Sequence, residues 1–445
     1  MISKLSNLYK QLQERDQLHV LKFWDELATE EQAALSSQLE SIDFALLDEF
    51  AKLLHQTDEL SQDISPCEVH KRCEYRHHQE VGEAIIRKSE FGVLTVAGGD
   101  GTRLGWSGPK GTYPATPLSG KSLFQLIAEQ IMYAQNRYGV TIPWYIMTSI
   151  SNSELTKSFL LDNNCFGLDR TDIFVFEQRQ VPALDATGKL MLQTKSSIVT
   201  NPDGHGGMIS GLQQSGALAE MEGRGIQYLS YVQVDNPLAR VVDPIFLGMH
   251  ATDEASSKEV SSKCVSKTHP EERVGVFCTK DGSVSIQEYS DLSDEQARET
   301  IEGELLYDAG SIAIHMFSRA FLEQIASSLP WHKAQKTVQA LEGKRDAVKF
   351  ETFVFDVLPM AQESLVVRVK REDEFAPIKN AHGEDSPATS QALQASRSKR
   401  WLIEAGIDIE DGAEVELSPL SGASPHEIDT TNISNPIQAG QQHVV

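Results

Sequence analysis

The chain has 445 residues, of which 40% are hydrophobic, and a formal net charge of −24 at pH 7. An apolar fraction of this size can build a core, whereas the strong negative charge repels nucleic acid and anionic membrane surfaces, so we expect neither as a partner. No apolar run approaches the roughly 18 residues of a membrane helix, the N-terminus lacks an apolar leader and the five cysteines are scattered, so we expect a cytoplasmic protein with reduced thiols.

Residues 1 to about 88 predict a helical N-terminal region. The stretches "KFWDELATEEQAALSSQLE" and "IDFALLDEFAKLLHQ" carry apolar residues at three- and four-residue spacing. Within this region, Cys67, His70, Cys73 and His77 have intervals that suggest a zinc site. On a helix these four side chains would point in different directions, so we favour a solvated helix face.

From Phe91 onwards, short apolar runs alternate with amphipathic stretches. The runs "GVLTVAG", "IPWYIMTS", "DIFVFEQ" and "IQYLSYVQVD" predict strands that are buried on both faces. The stretches "KSLFQLIAEQIMYAQNRYG" and "GMISGLQQSGALAEMEGRG" predict intervening helices, each closed by glycine. This alternation predicts an α/β fold with a doubly wound, Rossmann-like, mostly parallel sheet, which we assign to a central domain of residues 89–384.

In the later part of the chain, a predicted hairpin interrupts the alternation of strands and helices, and a small C-terminal domain follows it. "VGVFCTKDGSVSIQEYS" predicts a hairpin about an Asp281-Gly282 turn, and "SIAIHMFS" followed by "RAFLEQIASSL" predicts a further strand and helix. After about residue 385 the chain is polar, and it then predicts a helix to about Ala405, one short strand in "AEVELSPL" and a loose tail. Residues 385–445 are therefore predicted to form a small C-terminal domain.

The glycine-rich stretch "TVAGGDGTRLGWSGPKG" follows the first predicted strand of the sheet. A dinucleotide-binding loop needs G-x-G-x-x-G running into a helix, but Leu104 and Pro109 break that pattern, and no G-K-[ST] of a Walker loop is present. A nicotinamide oxidoreductase is accordingly the least favoured hypothesis. Glycines at 98, 99 and 101 would let backbone N–H groups line a cradle for phosphate, with Arg103 and Lys110 adding positive charge, so we predict a nucleoside triphosphate site.

The loop "AGGDGTRLGWSGPKG" resembles the signature of the sugar-nucleotide pyrophosphorylases. The rest of the chain is similar to the branch that contains the UDP-N-acetylhexosamine and UDP-glucose pyrophosphorylases, through these stretches in order: "FEQRQVPAL", "NPDGHGG", "VQVDNPLARVVDP", "EYSDLS", "YDAGSIAIH", "KFETFVFDVLP" and "REDEFAPIKNA". The resemblance covers about residues 90–382. It implies the fold of the nucleotide-diphospho-sugar transferases and a reaction in which UTP and a hexose 1-phosphate give a UDP-sugar and pyrophosphate, with Mg²⁺.

In the implied reaction, a sugar-phosphate oxygen attacks the α-phosphorus of UTP. The second pKa of a phosphate is about 6, so this nucleophile is already an anion and needs no general base. Arg103 and Lys110 are the expected cations on the triphosphate, and the resemblance points to Lys379 on the sugar phosphate or α-phosphate. Asp235 ends a strand, where one carboxylate suits Mg²⁺ held mainly by phosphate oxygens. Asp243 is a weaker metal candidate, because it precedes Pro244 and more naturally caps a helix.

The remaining site residues come from matching positions of the family. Gln178 of "FEQ" and the glycine backbone are expected to read the uracil edge. The full expected UTP-binding set is Ala97, Gly98, Gly99, Gly101, Thr102, Gln178, Gly204 and His205. The expected sugar-phosphate-binding set is Gly206, Glu288, Asp308 and Lys379.

The sugar side departs from the N-acetylhexosamine pattern. That branch typically shows "NPDGNGG" and "NAGN", whereas this chain has His205 in "NPDGHGG" and "DAGS" from Asp308. G-H-G is closer to the glucose branch, although His205 is also interpretable as a structural histidine. We expect N-acetylglucosamine 1-phosphate as the substrate, with glucose 1-phosphate as the alternative.

A second hypothesis of another class is a catalytically silent protein that binds nucleotide sugars. Such a protein could lose the metal ligand or the sugar-phosphate cation and still bind its ligand. This chain keeps Arg103, Lys110, Asp235 and Lys379. Their retention favours the enzyme.

Overall fold

The computed structural model describes residues 2–56, 63–72, 76–325 and 329–445. The chain forms two compact units. The smaller unit comprises Met1–Ser61, Gln178–Met208 and Ser328–Val354, and the larger unit comprises Gln62–Glu177, Ile209–Ser327 and Phe355–Val445. The sequence division at residues 88 and 384 stays a prediction; the compact units cut the chain elsewhere because segments distant in sequence pack together.

The α-helices lie in both units. In chain order they are α1 Ile2–Glu14, α2 Thr29–Glu40, α3 Phe44–Leu54, α4 Arg76–Arg87, α5 Leu123–Tyr138, α6 Ser153–Asp162, α7 Gly207–Gln214, α8 Ala217–Gly223, α9 Pro244–Thr252, α10 Asp294–Arg298, α11 Arg319–Ile325, α12 Arg371–Glu374 and α13 Pro387–Glu404.

The strands, again in chain order, are β1 Ser65–Pro66, β2 His70–Lys71, β3 Phe91–Val96, β4 Trp144–Thr148, β5 Ile173–Glu177, β6 Gln180–Pro182, β7 Leu192–Thr194, β8 Ser197–Ile198, β9 Thr200–Pro202, β10 Tyr228–Gln233, β11 Val260–Ser266, β12 Val276–Lys280, β13 Ser283–Gln287, β14 Thr300–Ile301, β15 Glu304–Leu305, β16 Ala309–Ser318, β17 His332–Ala340, β18 Gly343–Glu351, β19 Ser364–Arg368, β20 Glu414–Glu416 and β21 Gln442–Val444.

A large mixed sheet organises the larger unit. Its main path runs β2-β19-β11-β16-β10-β3-β4-β5, and every neighbouring pair on this path is parallel except the two pairs that β16 makes. Strand β4 is buried at every position, and β3 at every position but the last. The prediction of an α/β fold with a mostly parallel central sheet is confirmed.

Strand β16 lies antiparallel between β10 and β11 in the middle of this sheet. It is reached through the β12–β13 hairpin, whose first strand also pairs with β16. Helical crossovers join parallel strands, whereas hairpin-type connections return the chain antiparallel. The sheet therefore departs from a purely parallel doubly wound plan at this one strand.

Several local predictions are confirmed by cap and turn geometry. Helix α5 begins after Ser122, whose hydroxyl accepts a hydrogen bond from the Gln125 N–H at 3.1 Å, and it ends at Gly139 in the left-handed conformation with φ 69°. The β12–β13 turn has positive φ at both Asp281 and Gly282, at 51° and 80°. This is the backbone that a two-residue hairpin requires.

Two predicted elements differ from the structure. The predicted single helix in "GMISGLQQSGALAEMEGRG" is two helices, α7 and α8, because Gly216 takes φ 80° and ends the helical path. The predicted loose tail contains strand β21, which pairs in parallel with β20. A pairing of three residues is too short to show a period in the sequence.

The N-terminal region is not helical throughout. Helices α1 to α4 lie there, but β1 pairs with β12, and β2 pairs with β19. His70 belongs to β2 and His77 to α4, while Cys73 lies outside the described residues. Among the residues that the structure describes, no three His, Cys, Asp or Glu side chains are grouped as metal ligands.

The smaller unit has its own hydrophobic core. Leu12, Leu35 and Leu39 of the N-terminal helices are fully buried, and the ring of Phe50 stacks on that of Phe350 with centroids 3.9 Å apart. The antiparallel β17–β18 hairpin carries Phe350. Among the described helices of the whole chain, none combines the length and the apolar character needed to span a bilayer.

Candidate active site

The glycine-rich loop leaves the carboxyl end of β3 and folds back on itself. The Gly101 N–H donates to the Gly108 carbonyl at 2.9 Å, and the Lys110 N–H donates to the Gly99 carbonyl at 3.0 Å. A Cβ on Gly101 would lie 2.6 Å from Cβ of Trp106, and Gly108 has φ 148°. Both positions therefore require glycine for this loop to close. Thr102 and Arg103 lie exposed in the short 3₁₀ turn that follows Gly101.

Asn152 holds the start of this loop. Its side chain is 1% exposed, and its Nδ2 lies 3.1 Å from the Gly98 carbonyl, 3.4 Å from the Ala97 carbonyl and 3.2 Å from Oδ1 of Asp100. In the described part of the chain, the N–H groups of Gly98 and Gly99 have no acceptor. The loop thus offers backbone donors to a ligand, as a phosphate or uracil site needs.

Lys110 and Asp235 meet at the edge where β3 and β10 end. The two strands are parallel neighbours, so their carboxyl ends lie side by side. Nζ of Lys110 is 3.3 Å from Oδ2 of Asp235, and the two side chains are only 12% and 13% exposed. The structure therefore brings the predicted triphosphate cation and the predicted metal ligand together.

Hydrogen bonds hold the segment that leads to Lys379 against the end of β10. The Ile378 N–H donates to the Asp235 carbonyl at 2.8 Å, Nδ2 of Asn236 donates to the Glu374 carbonyl at 2.8 Å, and the Ala376 N–H donates to Oδ1 of Asn236 at 3.0 Å. The residue after Ile378 is Lys379, so its backbone is fixed next to Asp235.

The Lys379 side chain is 37% exposed, and its Nζ lies 3.6 Å from Oδ2 of Asp385. The N–H groups of Lys379 and Asn380 also donate to the Asp385 carbonyl. Burial raises the pKa of Asp385; the neighbouring ammonium of Lys379 opposes this, and the negative charges of Asp235 and Glu272 add to it. The carboxylates of Asp235 and Asp385 thus lie near one another, with Lys110 and Lys379 as their cations.

Two predicted sugar contacts, Glu288 and Asp308, also belong to the larger unit. The Asp308 carboxylate forms a two-point ion pair with the Arg368 guanidinium, with Oδ1 2.8 Å from Nη2. Glu288 follows β13 and is half-buried, with Oε1 beside Gly275. The structure ties the Asp308 carboxylate to Arg368, a partner that the sequence did not indicate.

The smaller unit carries the "NPDGHGG" loop, which has no space for side chains at its glycines. A Cβ on Gly204 would lie 2.4 Å from the Thr352 carbonyl oxygen, one on Gly206 would lie 2.7 Å from the Phe353 nitrogen, and one on Gly207 would lie 1.8 Å from Oδ1 of Asp203. Close approach of the loop to residues 352–353 thus explains Gly204 and Gly206, and close approach to Asp203 explains Gly207. Gln178, at 6% exposed, follows β5 directly.

His205 makes its hydrogen bond inside the same unit. Its Nδ1 accepts a hydrogen bond from the Val354 N–H at 3.0 Å, and its ring stacks on that of Phe353 with centroids 5.3 Å apart. Burial, with a smaller electrostatic contribution from the neighbouring His332, lowers the pKa of His205 to about 4. His205 is therefore neutral near pH 7, with its proton on Nε2.

Mg²⁺ was predicted at Asp235. A single carboxylate at the mouth of a phosphate cradle fits Mg²⁺, which binds one or two carboxylates and takes its other ligands from phosphates and water. The negative charge of Asp235 helps to raise the pKa of Asp385, so a cation bound between the two carboxylates would be favourable. No further His, Cys or carboxylate is grouped with this pair as a metal site in the described ranges.

The predicted site residues thus divide between the two units. The glycine loop, Arg103, Lys110, Asp235, Lys379, Glu288 and Asp308 belong to the larger unit, and Gln178, Gly204, His205 and Gly206 belong to the smaller one. Their roles in binding and catalysis stay predictions. Asn152 and Arg368 were missed, because nothing local to them in the sequence indicates their partners.

Comparison with known proteins identifies the family. The family model described as UTP–glucose-1-phosphate uridylyltransferase matches residues 44–420. The chain belongs to the UDP-sugar pyrophosphorylase family. As a member of that family it is a nucleotidyltransferase, as the glycine loop indicated.

The UDP-sugar pyrophosphorylase relatives cover nearly the whole chain. UDP-N-acetylglucosamine diphosphorylase 2 of Arabidopsis thaliana is 34% identical over 93% of this chain and 89% of its own length. UDP-N-acetylglucosamine pyrophosphorylase of Saccharomyces cerevisiae is 31% identical over 91% of this chain and 92% of its own length. The crystal structure of the uridine diphosphate N-acetylglucosamine pyrophosphorylase of Trypanosoma brucei, bound to an inhibitor, has a TM-score of 0.83 at 26% identity and covers 99% of both chains.

Proposed function

We propose that this protein transfers the uridylyl group of UTP to N-acetylglucosamine 1-phosphate, releasing pyrophosphate. The observation that carries the proposal is the Lys110–Asp235 contact of 3.3 Å at the carboxyl ends of β3 and β10, directly beside the glycine-rich loop. A buried lysine and a carboxylate at that edge are what two phosphorylated substrates and a divalent cation require. Relatives that match more than nine-tenths of this chain are named UDP-N-acetylglucosamine diphosphorylase or pyrophosphorylase, and these names support the proposed activity.

The chemistry is an in-line displacement at phosphorus. An anionic oxygen of the sugar phosphate forms a bond to the α-phosphorus of UTP, and the bond from that phosphorus to the bridging oxygen breaks, so the electron pair leaves with pyrophosphate. Because the attacking oxygen carries no proton near pH 7, the protein contributes positioning and charge neutralisation. No general base is needed.

Each group of residues has one task in this proposal. The free N–H groups of Gly98 and Gly99 hold uracil or phosphate oxygens, while Arg103 and Lys110 neutralise the triphosphate. The backbone at Lys379 is fixed by the hydrogen bond between Ile378 and Asp235. Its ammonium exchanges its ion pair with Asp385 for one with the sugar phosphate or the α-phosphate. Mg²⁺ bound to Asp235 would further neutralise the repulsion between the two substrates.

The choice of sugar rests on His205 and on the relatives. Nδ1 of His205 accepts a hydrogen bond from the Val354 N–H, and its ring stacks on Phe353, so His205 makes structural contacts within its own unit. This supports the reading of the G-H-G variant as a structural change, not as a change of substrate. Glucose 1-phosphate therefore stays the second candidate.

Pyrophosphate release from UTP, measured in parallel with N-acetylglucosamine 1-phosphate and glucose 1-phosphate, tests the proposal. We expect a kcat/KM at least about 10-fold higher for the acetylated sugar, the scale on which one substituent is discriminated in a binding site. A preference for glucose 1-phosphate would reverse the order of the two candidates. Absence of pyrophosphate with both sugars would favour the silent nucleotide-sugar-binding protein.

We also place the protein in the cytoplasm. Four described cysteines, Cys67, Cys165, Cys264 and Cys278, are free thiols. Burial raises the pKa of Cys67 and of Cys264 to about 12, which makes both thiols unreactive. Four free thiols, three of them buried, suit a reducing compartment.

A further inference from the structure

A cavity of about 570 Å³ lies in the larger unit. Of the residues expected to bind UTP, the sugar phosphate or Mg²⁺, its lining contains only Asp243, the weaker metal candidate; it also contains Arg368, the partner of Asp308. Five parts of the chain line it: the end of β2, Gln79 of α4, residues 240–245 at the start of α9, residues 368–374 and the C-terminal turn at residues 423–427. Its volume is within the range of small-molecule sites, about 300–1,000 Å³. Charged side chains make up much of this lining.

Two of the lining carboxylates are neutralised by a buried ion network. Nζ of Lys263 lies 2.7 Å from Oδ2 of Asp243 and 2.5 Å from Oε2 of Glu374, and the Lys263 side chain is fully buried. The Arg72 guanidinium forms a two-point ion pair with Asp243 and lies 3.5 Å from Glu374. Two cations and two anions thus cancel at the floor of the cavity, as burial of charge demands.

The other two lining carboxylates are also paired. Asp373 accepts hydrogen bonds from Nη1 of Arg400 at 2.8 Å and from the indole of Trp401 at 3.2 Å. Glu427 lies 3.1 Å from the guanidinium of Arg137. Every aspartate and glutamate of the lining therefore already has a cation.

Three lining cations have no carboxylate within ion-pair distance, although the positive charge of Arg240 contributes at longer range to the lowered pKa of Asp243. Within the described ranges, Lys71, Arg240 and Lys370 form no ion pair, and Arg240 lies over the ring of Trp401 with 5.6 Å from Cζ to the centroid. Burial and then the positive charge of Arg240 lower the pKa of the neighbouring Arg397 to about 10. In a chain with a net charge of −24, this is a local excess of positive charge around a cavity.

We propose that this cavity binds a small phosphorylated anion, with Lys71, Arg240 and Lys370 as its cations. A phosphate dianion takes charge-assisted hydrogen bonds from such donors. The floor of the cavity also adjoins the catalytic segment, because the Glu374 carbonyl accepts the hydrogen bond from Asn236 next to Asp235. A bound anion would contact the segment that leads to Lys379.

Titration calorimetry of the full chain with inorganic phosphate, at constant ionic strength, tests this site. The double variant Lys71→Gln/Lys370→Gln removes two exposed charges and leaves the buried network intact. We expect it to bind phosphate about fivefold more weakly, the effect of two exposed charge contacts of about 0.5 kcal/mol each. Lys336→Gln/Lys344→Gln removes the same charge from exposed positions of the smaller unit and should bind as the wild type does.

Two further variants separate the possible sites. Lys110→Ala, at the glycine loop, should retain the phosphate binding that the cavity variants lose. Arg240→Gln should lose it; a thermal melt accompanies this variant because Arg240 packs on Trp401. Titration with glycerol 3-phosphate shows whether a phosphate monoester or free phosphate is the better ligand.

Unchanged affinity in both cavity variants would refute the site, and so would an equal loss in the Lys336→Gln/Lys344→Gln control. Loss of binding in Lys110→Ala alone would assign the phosphate to the glycine loop and also refute it. Because only binding is measured, failure of the proposed uridylyl transfer would leave this test intact.

Discussion

At the residue scale, Lys110 is the side chain on which the proposed chemistry depends most. It lies 3.3 Å from Asp235 and is mostly buried, so water cannot replace its charge easily. In the proposed function, its position at the end of the glycine loop lets it bind the phosphates of UTP. Removing it would leave the developing charge on the departing pyrophosphate without its nearest cation.

We predict that Lys110→Ala lowers kcat/KM for pyrophosphate release by about 10² or more, the scale of loss of one charge-stabilising donor. Steady-state kinetics with both substrates measures this. Lys336→Ala, an exposed lysine of the smaller unit, is the matched control and should be unaffected. An unchanged rate in Lys110→Ala would remove this lysine from the mechanism.

For His205 we predict an effect on how protein stability depends on pH, not on the reaction rate. The pKa of His205 is lowered to about 4 in the folded protein. As the pH falls, His205 is therefore protonated in the unfolded chain, near its ordinary pKa of about 6.5, before it is protonated in the folded protein. The contribution of His205 to stability is therefore present above about pH 6.5 and is lost as the pH falls toward 4.

The free energy of unfolding of the wild type should fall across this pH window more steeply than that of His205→Asn. Denaturant titrations at a series of pH values measure both slopes. His250, whose pKa burial lowers to about 3, is common to both proteins and cancels in the comparison. Parallel slopes would show that His205 is not neutral in the folded state.

At the element scale, the glycine loop closes only because its glycines leave no methyl group in the way of neighbouring atoms. A Cβ on Gly101 would lie 2.6 Å from Cβ of Trp106, whereas a Cβ on Gly223 in α8 would meet nothing within 4 Å. The Asn152 side chain is hydrogen-bonded to the Ala97 and Gly98 carbonyls, so the start of the loop cannot shift easily.

We predict that Gly101→Ala raises the KM for UTP by about 10-fold or more, because displaced loop N–H groups no longer fit the ligand. Gly223→Ala is the matched control and should keep the KM of the wild type. UTP titrations at saturating sugar phosphate measure the two values. Equal KM values in Gly101→Ala and the wild type would mean that the loop does not bind UTP.

Elements with a strong local signal were predictable from the sequence. The continuous apolar runs of β3, β4 and β10 and the Ser122 and Gly139 caps of α5 each determine their element through nearby residues. The β17–β18 hairpin, by contrast, bears mostly polar side chains and shows no apolar alternation. Its pairing depends on tertiary contacts.

The same distinction holds for the candidate site. Lys110, Asp235 and Lys379 were predictable because each stands in a motif or at a strand end. Asn152 and Arg368 act on partners 54 and 60 residues away, on Gly98 and Asp308, so only the folded chain reveals them. Local patterns predict what a loop binds, but they do not reveal the distant residues that hold the loop in place.

At the scale of the whole molecule, a net charge of −24 opposes the binding of two anionic substrates. In the proposed function, Arg103, Lys110, Lys379 and a divalent cation offset their repulsion locally. We predict that a chelator abolishes pyrophosphate release and that added Mg²⁺ restores it. Full activity in excess chelator would rule out the metal at Asp235.

The most direct test of the central claim follows the phosphorus atoms of UTP. The protein is given UTP labelled at the α-phosphate in one reaction and at the γ-phosphate in another, each with N-acetylglucosamine 1-phosphate and Mg²⁺. We predict that the α-label appears in UDP-N-acetylglucosamine and the γ-label in pyrophosphate. Recovery of the α-label only in UTP or UMP would contradict uridylyl transfer.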